Sequence, residues 1–377
     1  MKIGIDVTML IYQGSGVANY TYNLVKNLLQ YDKENEYRLF YSSFHKQKST
    51  DYLKEFEKLG AKIYHYRFPF KFLQFCWEKI NIMPVEWLIG KVDVFFSSDF
   101  LRPPLFSKTL AITTVHDLVW KMYPQFHEDW IVEAHVKKLK KTVKYKDFIL
   151  VDSQSTKNDL TKYYPKIDQE KIKVIYPGIG EEFRPINNKN KTEQVLKKYG
   201  INYPGNFLLY VGAIEPRKNL NLVIEVFAKL IKDERFQGYK FIIAGKTGWK
   251  KNQVFQSIKR LKLEDKIKFT GYVESEDLPF LYNAASLTVY LSSYEGFGLP
   301  PLESLACDTK VIAGDNSSMK ETIDEKFLVD VTDFKKVLEK MKYLLENEIK
   351  IESESIKKRF NWQEAARKFL KIINSKS

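Results

Sequence analysis

The chain has 377 residues, 44% of them apolar and many of them Phe or Tyr, which is more than one average domain holds and excludes a disordered chain. No apolar run reaches the ~18–20 residues that cross a bilayer, and two distant cysteines, Cys76 and Cys307, offer no disulfide framework or zinc spacing and fit a reducing cytoplasm. The formal charge of +14 calls for an anionic partner or a lysine-rich composition; no nucleic-acid module pattern accompanies it, so an anionic membrane face ranks ahead of nucleic acid.

Ile3-Gly4-Ile5-Asp6-Val7 opens the chain as a strand, and Gly14-Ser15-Gly16 follows it. Val17 to Leu29 then carries apolar residues at helical spacing. A strand, a Gly-x-Gly loop and a helix suit a phosphate, because the first helical N–H groups lack partners. Such glycines are common punctuation, so the pattern alone is weak. The third glycine of the dinucleotide fingerprint is missing, with Asn19 and Tyr20 in its place, which demotes a dinucleotide-dependent oxidoreductase. Further strands are expected at Tyr37–Tyr41, Ala61–Tyr66, Val92–Phe96, Thr109–Val115, Asp147–Val151 and Ile172–Tyr176. Their alternation with helical stretches predicts a parallel sheet covered on both faces.

Two segments of this half read in two ways. Arg67 to Ile89 carries Phe68, Phe70, Phe72, Phe75, Trp77 and Trp87 among lysines; it is either a helix packed on the sheet or an acceptor or membrane surface. The helix expected over Asp129–Lys146 has an apolar stripe of Val132, Val136, Leu139 and Val143, with six lysines between Lys137 and Lys146 covering the rest. A solvated face is the commoner meaning, and attraction to anionic lipid is the functional one. Between them, Ser98–Pro104 is a turn-rich loop, and His116-Asp117 stands at a strand's carboxyl end, where open α/β sheets bind ligands.

Pro177-Gly178-Ile179-Gly180 breaks the alternation, and the polar stretch to Asn206 marks the domain boundary. Phe207–Val211 restarts it, leading into Arg217 and Lys218 just ahead of a long helix. Two cations there oppose the helix dipole unless they serve a diphosphate. Strands over Phe241–Lys246, Phe269–Val273, Leu287–Leu291 and Lys310–Ala313 follow, the first running into the loop Gly245–Trp249. After Leu291 comes Tyr294-Glu295-Gly296-Phe297-Gly298-Leu299-Pro300-Pro301-Leu302-Glu303. The glycines let the loop curl so that a ligand approaches its amides, and the prolines suit a helix's first turn. Glu295 in the loop and Glu303 in the first helical turn would repel a phosphate, so they read as acceptors from hydroxyls. Phosphate amides beside hydroxyl-binding carboxylates suggest a nucleotide joined to a sugar. The tail from Phe360 to Ile373 is an amphipathic helix with Asn361 as its N-cap.

Glu-x7-Glu with Gly-Phe-Gly-Leu-Pro inside it resembles the signature of glycosyltransferase family 4, a retaining group with the GT-B fold. Gly14–Gly16, His116-Asp117 and Arg217-Lys218 match it as well, in order, so the likeness covers nearly the whole chain. It departs at Asp308, Lys310 and Lys320, where Gly, Pro and Pro are common. The resemblance implies an α/β protein of two Rossmann-like domains facing a cleft: an acceptor domain over 1–180, a nucleotide-sugar domain over 181–358, and a terminal helix over 359–377 returning to the first. It implies a retaining hexosyltransferase in which Gly14 and Gly16 close over the donor phosphate and His116, followed by Asp117, reaches the donor sugar. Arg217, Lys218 and the amides of Gly296, Phe297, Gly298 and Leu299 would take the diphosphate. Glu295 would hold sugar hydroxyls and Glu303 the ribose, with Gly271, Tyr272 and Val273 along the base. No metal or other cofactor is expected, since the two cations can do a metal's work.

The Ser98–Pro104 and Gly245–Trp249 loops look most like mannosyl- and rhamnosyltransferases of bacterial surface polysaccharide synthesis. That places GDP-mannose first as donor, ahead of UDP-glucose-type and dTDP-rhamnose donors, with a glycan or lipid-linked glycan as acceptor. The expected location is the cytoplasm, with peripheral contact at the inner face of an anionic membrane. Rival readings are a nucleotide-sugar-binding protein that has lost turnover, a basic nucleic-acid binder, and an epimerase or phosphorylase on the same fold.

Overall fold

In the computed structural model, residues 1–12, 14–44, 50–98, 101–246 and 252–375 are described. Residues 99 and 100 of the Ser98–Pro104 loop, and 247 to 249 of the Gly245–Trp249 loop, lie outside them. The chain divides into two compact units, Met1–Gly178 with Asn361–Ser377, and Ile179–Phe360.

The first unit is built on strands β1 Lys2–Asp6, β2 Glu36–Ser42, β3 Lys62–Tyr66, β4 Val94–Ser97, β5 Leu110–Val115, β6 Phe148–Val151 and β7 Ile172–Val174, in spatial order β3-β2-β1-β4-β5-β6-β7. Every pairing is parallel. β4 shows why the alternating apolar/polar pattern of an exposed strand is absent. Phe95 packs with Phe40, Trp77 and Ile89 on one face, while its neighbour Phe96 packs with Ile5, Leu24 and Phe369 on the other. A sheet covered on both sides needs apolar residues at successive positions. The second unit repeats the plan with β8 Phe207–Val211, β9 Lys240–Ala244, β10 Ile267–Gly271, β11 Leu287–Tyr290, β12 Val311–Gly314 and β13 Leu328–Val329, in order β10-β9-β8-β11-β12-β13 and again parallel throughout. β13 has two residues, too few to show a period, and sequence reading did not place it.

Strand order reverses between β1 and β4 in the first sheet and between β8 and β11 in the second. Ligands of doubly wound sheets sit outside the carboxyl ends at such points. The terminal helix Trp362–Asn374 belongs to the first unit. Asn361 caps it by accepting from the Glu364 amide at 2.8 Å, and Trp362, Ala365, Phe369 and Ile373 bury themselves against the helix Gly16–Tyr31.

The two ambiguous segments divide internally. In Arg67–Ile89, Trp77, Leu73, Val85 and Ile89 are core residues, with Phe68 and Phe70 partly buried beside them. Phe72, Phe75 and Trp87 are exposed, Trp87 by 69%. In the helix Asp129–Tyr145 the lysines do not form one solvated face. Lys138 is 3% exposed and donates to the Thr114 carbonyl at 2.7 Å, and Lys141 donates to the carbonyl of Trp77 and to Asn81. Composition counts charges, but the helical period turns some of them inward.

Candidate active site

In the second unit, the loops after β8 and β11 flank the switch point. After β8, Pro216–Lys218 forms a tight turn and Asn219 takes a left-handed conformation, φ 57°, before the helix Leu220–Leu230. That turn delivers Arg217 and Lys218 to the loop after β11. Lys218 Nζ donates to Glu295 Oε1 at 2.6 Å and to the Tyr290 hydroxyl at 2.5 Å. Arg217 Nη1 donates to Glu295 Oε2 at 2.8 Å and its Nε to Glu215 at 2.9 Å. Glu295 is 5% exposed. Burial alone would raise its carboxyl, but Arg217 and Lys218 hold it down at about 2. Burial and the neighbouring guanidinium together lower the Lys218 ammonium. The carboxylate expected on sugar hydroxyls therefore clasps both cations expected on the diphosphate.

The Glu295 loop is fixed from behind. Its amide donates to Ser317 Oγ at 2.9 Å, and Ser318 Oγ donates to the carbonyls of Glu295 and Phe297 at 3.0 and 2.9 Å. Phe297 is buried edge-on against Phe360. Gly298 has φ 89°, a left-handed conformation that strains any residue with a side chain, and a Cβ there would also press on the Met319 methyl. The helix Leu299–Ala306 places Pro300 and Pro301 in its first turn. Prolines carry no N–H, so two of the amides that a helix N-terminus normally offers an anion are missing. Positive charge at this site rests mainly on Arg217 and Lys218.

Glu303 stands in the second turn of that helix, not the first, and accepts from the Tyr282 hydroxyl at 2.9 Å. Burial, only partly offset by that hydrogen bond and reinforced by Glu182, raises its carboxyl to about 7. At the edge of the sheet, Gly271 has φ 72° and its carbonyl accepts from the Gly245 amide at 2.8 Å. A Cβ on Gly245 would lie 2.1 Å from the Gly212 carbonyl, so the ends of β8, β9 and β10 pack backbone to backbone. Beyond them Lys246 lies 5.0 Å over the half-exposed Tyr272 ring, and Val273 is buried.

In the first unit, Gly14 has φ 77° and Gly16 opens the helix Gly16–Tyr31, whose N-cap Ser15 accepts from Ala18 at 3.2 Å. A Cβ on Gly16 would meet nothing within 4 Å. Tyr20 of this helix meets His116 edge-on, ring centroids 4.8 Å apart. His116 shares a proton with Asp152, Nδ1 to Oδ2 at 2.7 Å. The adjacent Asp117 serves its own backbone instead, its Oδ1 accepting from Val119 at 3.0 Å to start a short helix. Asp152 is what sequence reading missed. It follows β6, the strand next to the one that carries His116, so the same carboxyl edge holds both.

Two family models match the chain: one described as Glycosyltransferase Family 4 over residues 14–183, and one described as Glycosyl transferases group 1 over 191–369. The O-antigen chain mannosyltransferase B of Escherichia coli is 27% identical over 338 residues, 87% of this chain and 86% of its own length. The O-antigen chain mannosyltransferase RfbU of Salmonella typhimurium is 34% identical over 203 residues, 54% of this chain and 51% of its own. The serotype-specific mannosyltransferase WbdA of Escherichia coli is 34% identical over 52% of this chain, which spans 24% of that longer protein. Among solved structures, the Anabaena protein HepE in complex with UDP and glucose superposes with a TM-score of 0.72 at 16% identity, covering 100% of both chains. A glycosyltransferase of Rickettsia africae gives 0.72 at 21% identity over 99% of this chain and 98% of its own. The shared fold is GT-B. With one family model on each unit and similarity to an O-antigen mannosyltransferase along most of its length, the chain belongs to the group 1, family 4 glycosyltransferases and is a hexosyltransferase.

Proposed function

We propose that this enzyme is a retaining transferase that moves mannose from GDP-mannose to a glycan or lipid-linked glycan acceptor in surface polysaccharide synthesis. The observation that carries the reading is the buried Arg217–Lys218–Glu295 cluster at the switch point of the second sheet. When the bond from sugar to diphosphate breaks, negative charge grows on the leaving phosphate. Two fixed cations, the buried Lys218 and the partly buried Arg217, stabilise that charge most as it develops. In this reading they take the place of a metal. The acceptor hydroxyl attacks the face from which the diphosphate leaves and passes its proton to the departing phosphate oxygen, so no protein nucleophile is required. Mannose is favoured by the activity for which the two O-antigen relatives are named.

Peripheral attachment to an anionic membrane is part of the proposal. Phe72, Phe75 and Trp87 are exposed on the first unit beside Lys71 and Lys79, and aromatics among cations suit the headgroup zone. No helix among the described residues is long and apolar enough to cross a bilayer, so such contact would be from one side.

Thermal-shift measurements with GDP, UDP and dTDP test the donor, because a ligand of the folded state raises its stability. GDP should give the largest shift, and transfer from GDP-mannose to a soluble mannoside should retain the α configuration. Stabilisation by UDP or dTDP and none by GDP would replace mannose by the UDP-glucose-type or dTDP-rhamnose alternative. Binding without turnover on any donor would leave a nucleotide-sugar-binding protein.

A further inference from the structure

Tyr290 closes β11 and is 2% exposed. A buried tyrosine needs a partner for its hydroxyl that a phenylalanine of the same shape does not. Here the partner is Lys218 Nζ, which donates to that hydroxyl at 2.5 Å. The ring is held from the neighbouring strand: Tyr210 of β8 stacks on it with centroids 6.2 Å apart and an interplanar angle of 18°. Tyr210 in turn donates to the Ala213 carbonyl at 2.8 Å, in the loop that carries Lys218. The two strands that flank the switch point therefore fix one phenol oxygen beside the cation.

The two acceptors of Lys218 differ in kind. Glu295, at 2.6 Å, is an anion, so an anionic ligand of Lys218 competes with it. Tyr290 is neutral: burial, reinforced by the Glu295 carboxylate beside it, holds its phenol well above the ordinary range. A neutral acceptor neither repels an arriving phosphate nor is driven off by it. An ammonium carries three N–H donors. Fixing one of them sets the rotation about Cε–Nζ, and with it the direction of the other two. The hydroxyl therefore keeps the ammonium aimed while a ligand takes the place of Glu295. Burial, and then Arg217, lower the Lys218 ammonium, whereas Glu295 and Glu215 support it. Arg217 and Glu215 face it from its own loop and Glu295 from the loop after β11, with the Tyr290 phenol from β11 itself.

We propose that Tyr290 is a positioning residue of the transfer, acting through Lys218 to hold the ammonium on the leaving diphosphate as Glu295 lets go of it. This rests on the transferase reading, which puts Lys218 on the diphosphate and Glu295 on the sugar. Tyr290 moves no proton and makes no bond to substrate. Without its hydroxyl the ammonium keeps its charge but follows Glu295. The charge that Lys218 meets grows only as the bond from sugar to phosphate breaks, so the loss falls on kcat and not on the donor KM.

The test is Tyr290→Phe, which keeps the ring and removes only the oxygen. With GDP-mannose, or the sugar of whichever nucleoside diphosphate stabilises the chain, and a soluble mannoside, kcat should fall about tenfold, the size of a lost hydrogen bond to a charged group. The donor KM should stay within about twofold. The alkaline limb of kcat/KM should move to lower pH, because the ammonium loses an acceptor that favours its charged form; a purely structural hydroxyl would leave that limb in place. In a Lys218→Ala background, Tyr290→Phe should change kcat/KM by less than about twofold, since the group it acts through is gone. Should Lys218→Ala not fold, the alkaline limb of Tyr290→Phe decides. Wild-type kcat in Tyr290→Phe, a loss confined to KM or to melting temperature, or equal losses in both backgrounds overturns the proposal. Nucleoside diphosphate carries the full leaving charge, so its affinity should show the same dependence of Tyr290→Phe on Lys218. A chain that shows it but transfers no sugar overturns the transferase reading and leaves the role of Tyr290 standing. A chain that transfers sugar at the wild-type rate without Lys218 overturns both.

Discussion

The two units handle buried positive charge in opposite ways. In the second, Arg217 and Lys218 are matched by Glu215 and Glu295, so the cluster is neutral before any ligand arrives. In the first, Lys138 and three histidines line one cavity, and burial, with Lys138 and the other two histidines nearby, lowers the His135 imidazole. A compensated cluster can be preorganised at full charge, because its own carboxylate replaces the solvation that burial removes. Its ligand must then displace that carboxylate.

The largest expected effect follows from removing the compensation. Glu295→Ala leaves two buried cations without their shared partner, and losing one side of a buried pair costs ~3–5 kcal/mol. The melting temperature of the variant should fall sharply. Nucleoside diphosphate should raise it by more than it raises the wild type, because the ligand supplies the missing anion. Equal shifts in both proteins would mean that the diphosphate does not meet these cations, and the contrast between the units would collapse. Lys218→Ala should lower kcat/KM by ~2–4 kcal/mol of transition-state stabilisation. Unchanged kinetics would remove it from the site.

Asp152 probes the other unit. Its carboxylate faces His116 Nδ1, so in the proposed transfer it would act through His116 as a positioning residue. Asp152→Asn removes a charge-assisted hydrogen bond worth ~1.5–3 kcal/mol. Turnover should fall while KM for the donor stays near its wild-type value, and the pH dependence of kcat should move. A loss of stability with no change in the pH profile would mark the pair as merely structural.

These contrasts also explain what could be read in advance. Both parallel sheets were legible because buried strands such as Phe95-Phe96 are apolar at successive positions, and the terminal helix because Asn361 precedes a periodic stretch. The Gly298 turn was legible too, since its backbone requires glycine. Pairings across space were not. Glu295 lies 78 residues from Arg217, and Asp152 lies 36 from His116; no local pattern announces either. His116-Asp117 looked like a pair because the residues are adjacent, yet their side chains serve different neighbours. Lys138 was hidden among like charges, where only its angular position on the helix distinguishes a buried lysine from solvated ones. The helix that follows Gly298 also offers an anion fewer amides than its position suggests, because Pro300 and Pro301 carry no N–H.

The smallest effect belongs to Glu303, and it is read as proton exchange on binding. Its carboxyl is raised to about 7 by burial, so near neutral pH much of it is protonated. A ribose diol donates hydrogen bonds and is bound better by the carboxylate than by the acid. With Glu303 on the ribose, as the family resemblance implies, ligand would favour the ionised form and binding would release a proton. Affinity for nucleoside diphosphate should rise with pH up to about 7 and level off above it, by no more than tenfold per pH unit. Calorimetry near pH 6.5 in buffers of different ionisation enthalpy should show that release. Glu303→Gln should abolish the release and flatten the pH dependence, with modest loss of affinity. Release that persists in Glu303→Gln would move the ribose contact to another group.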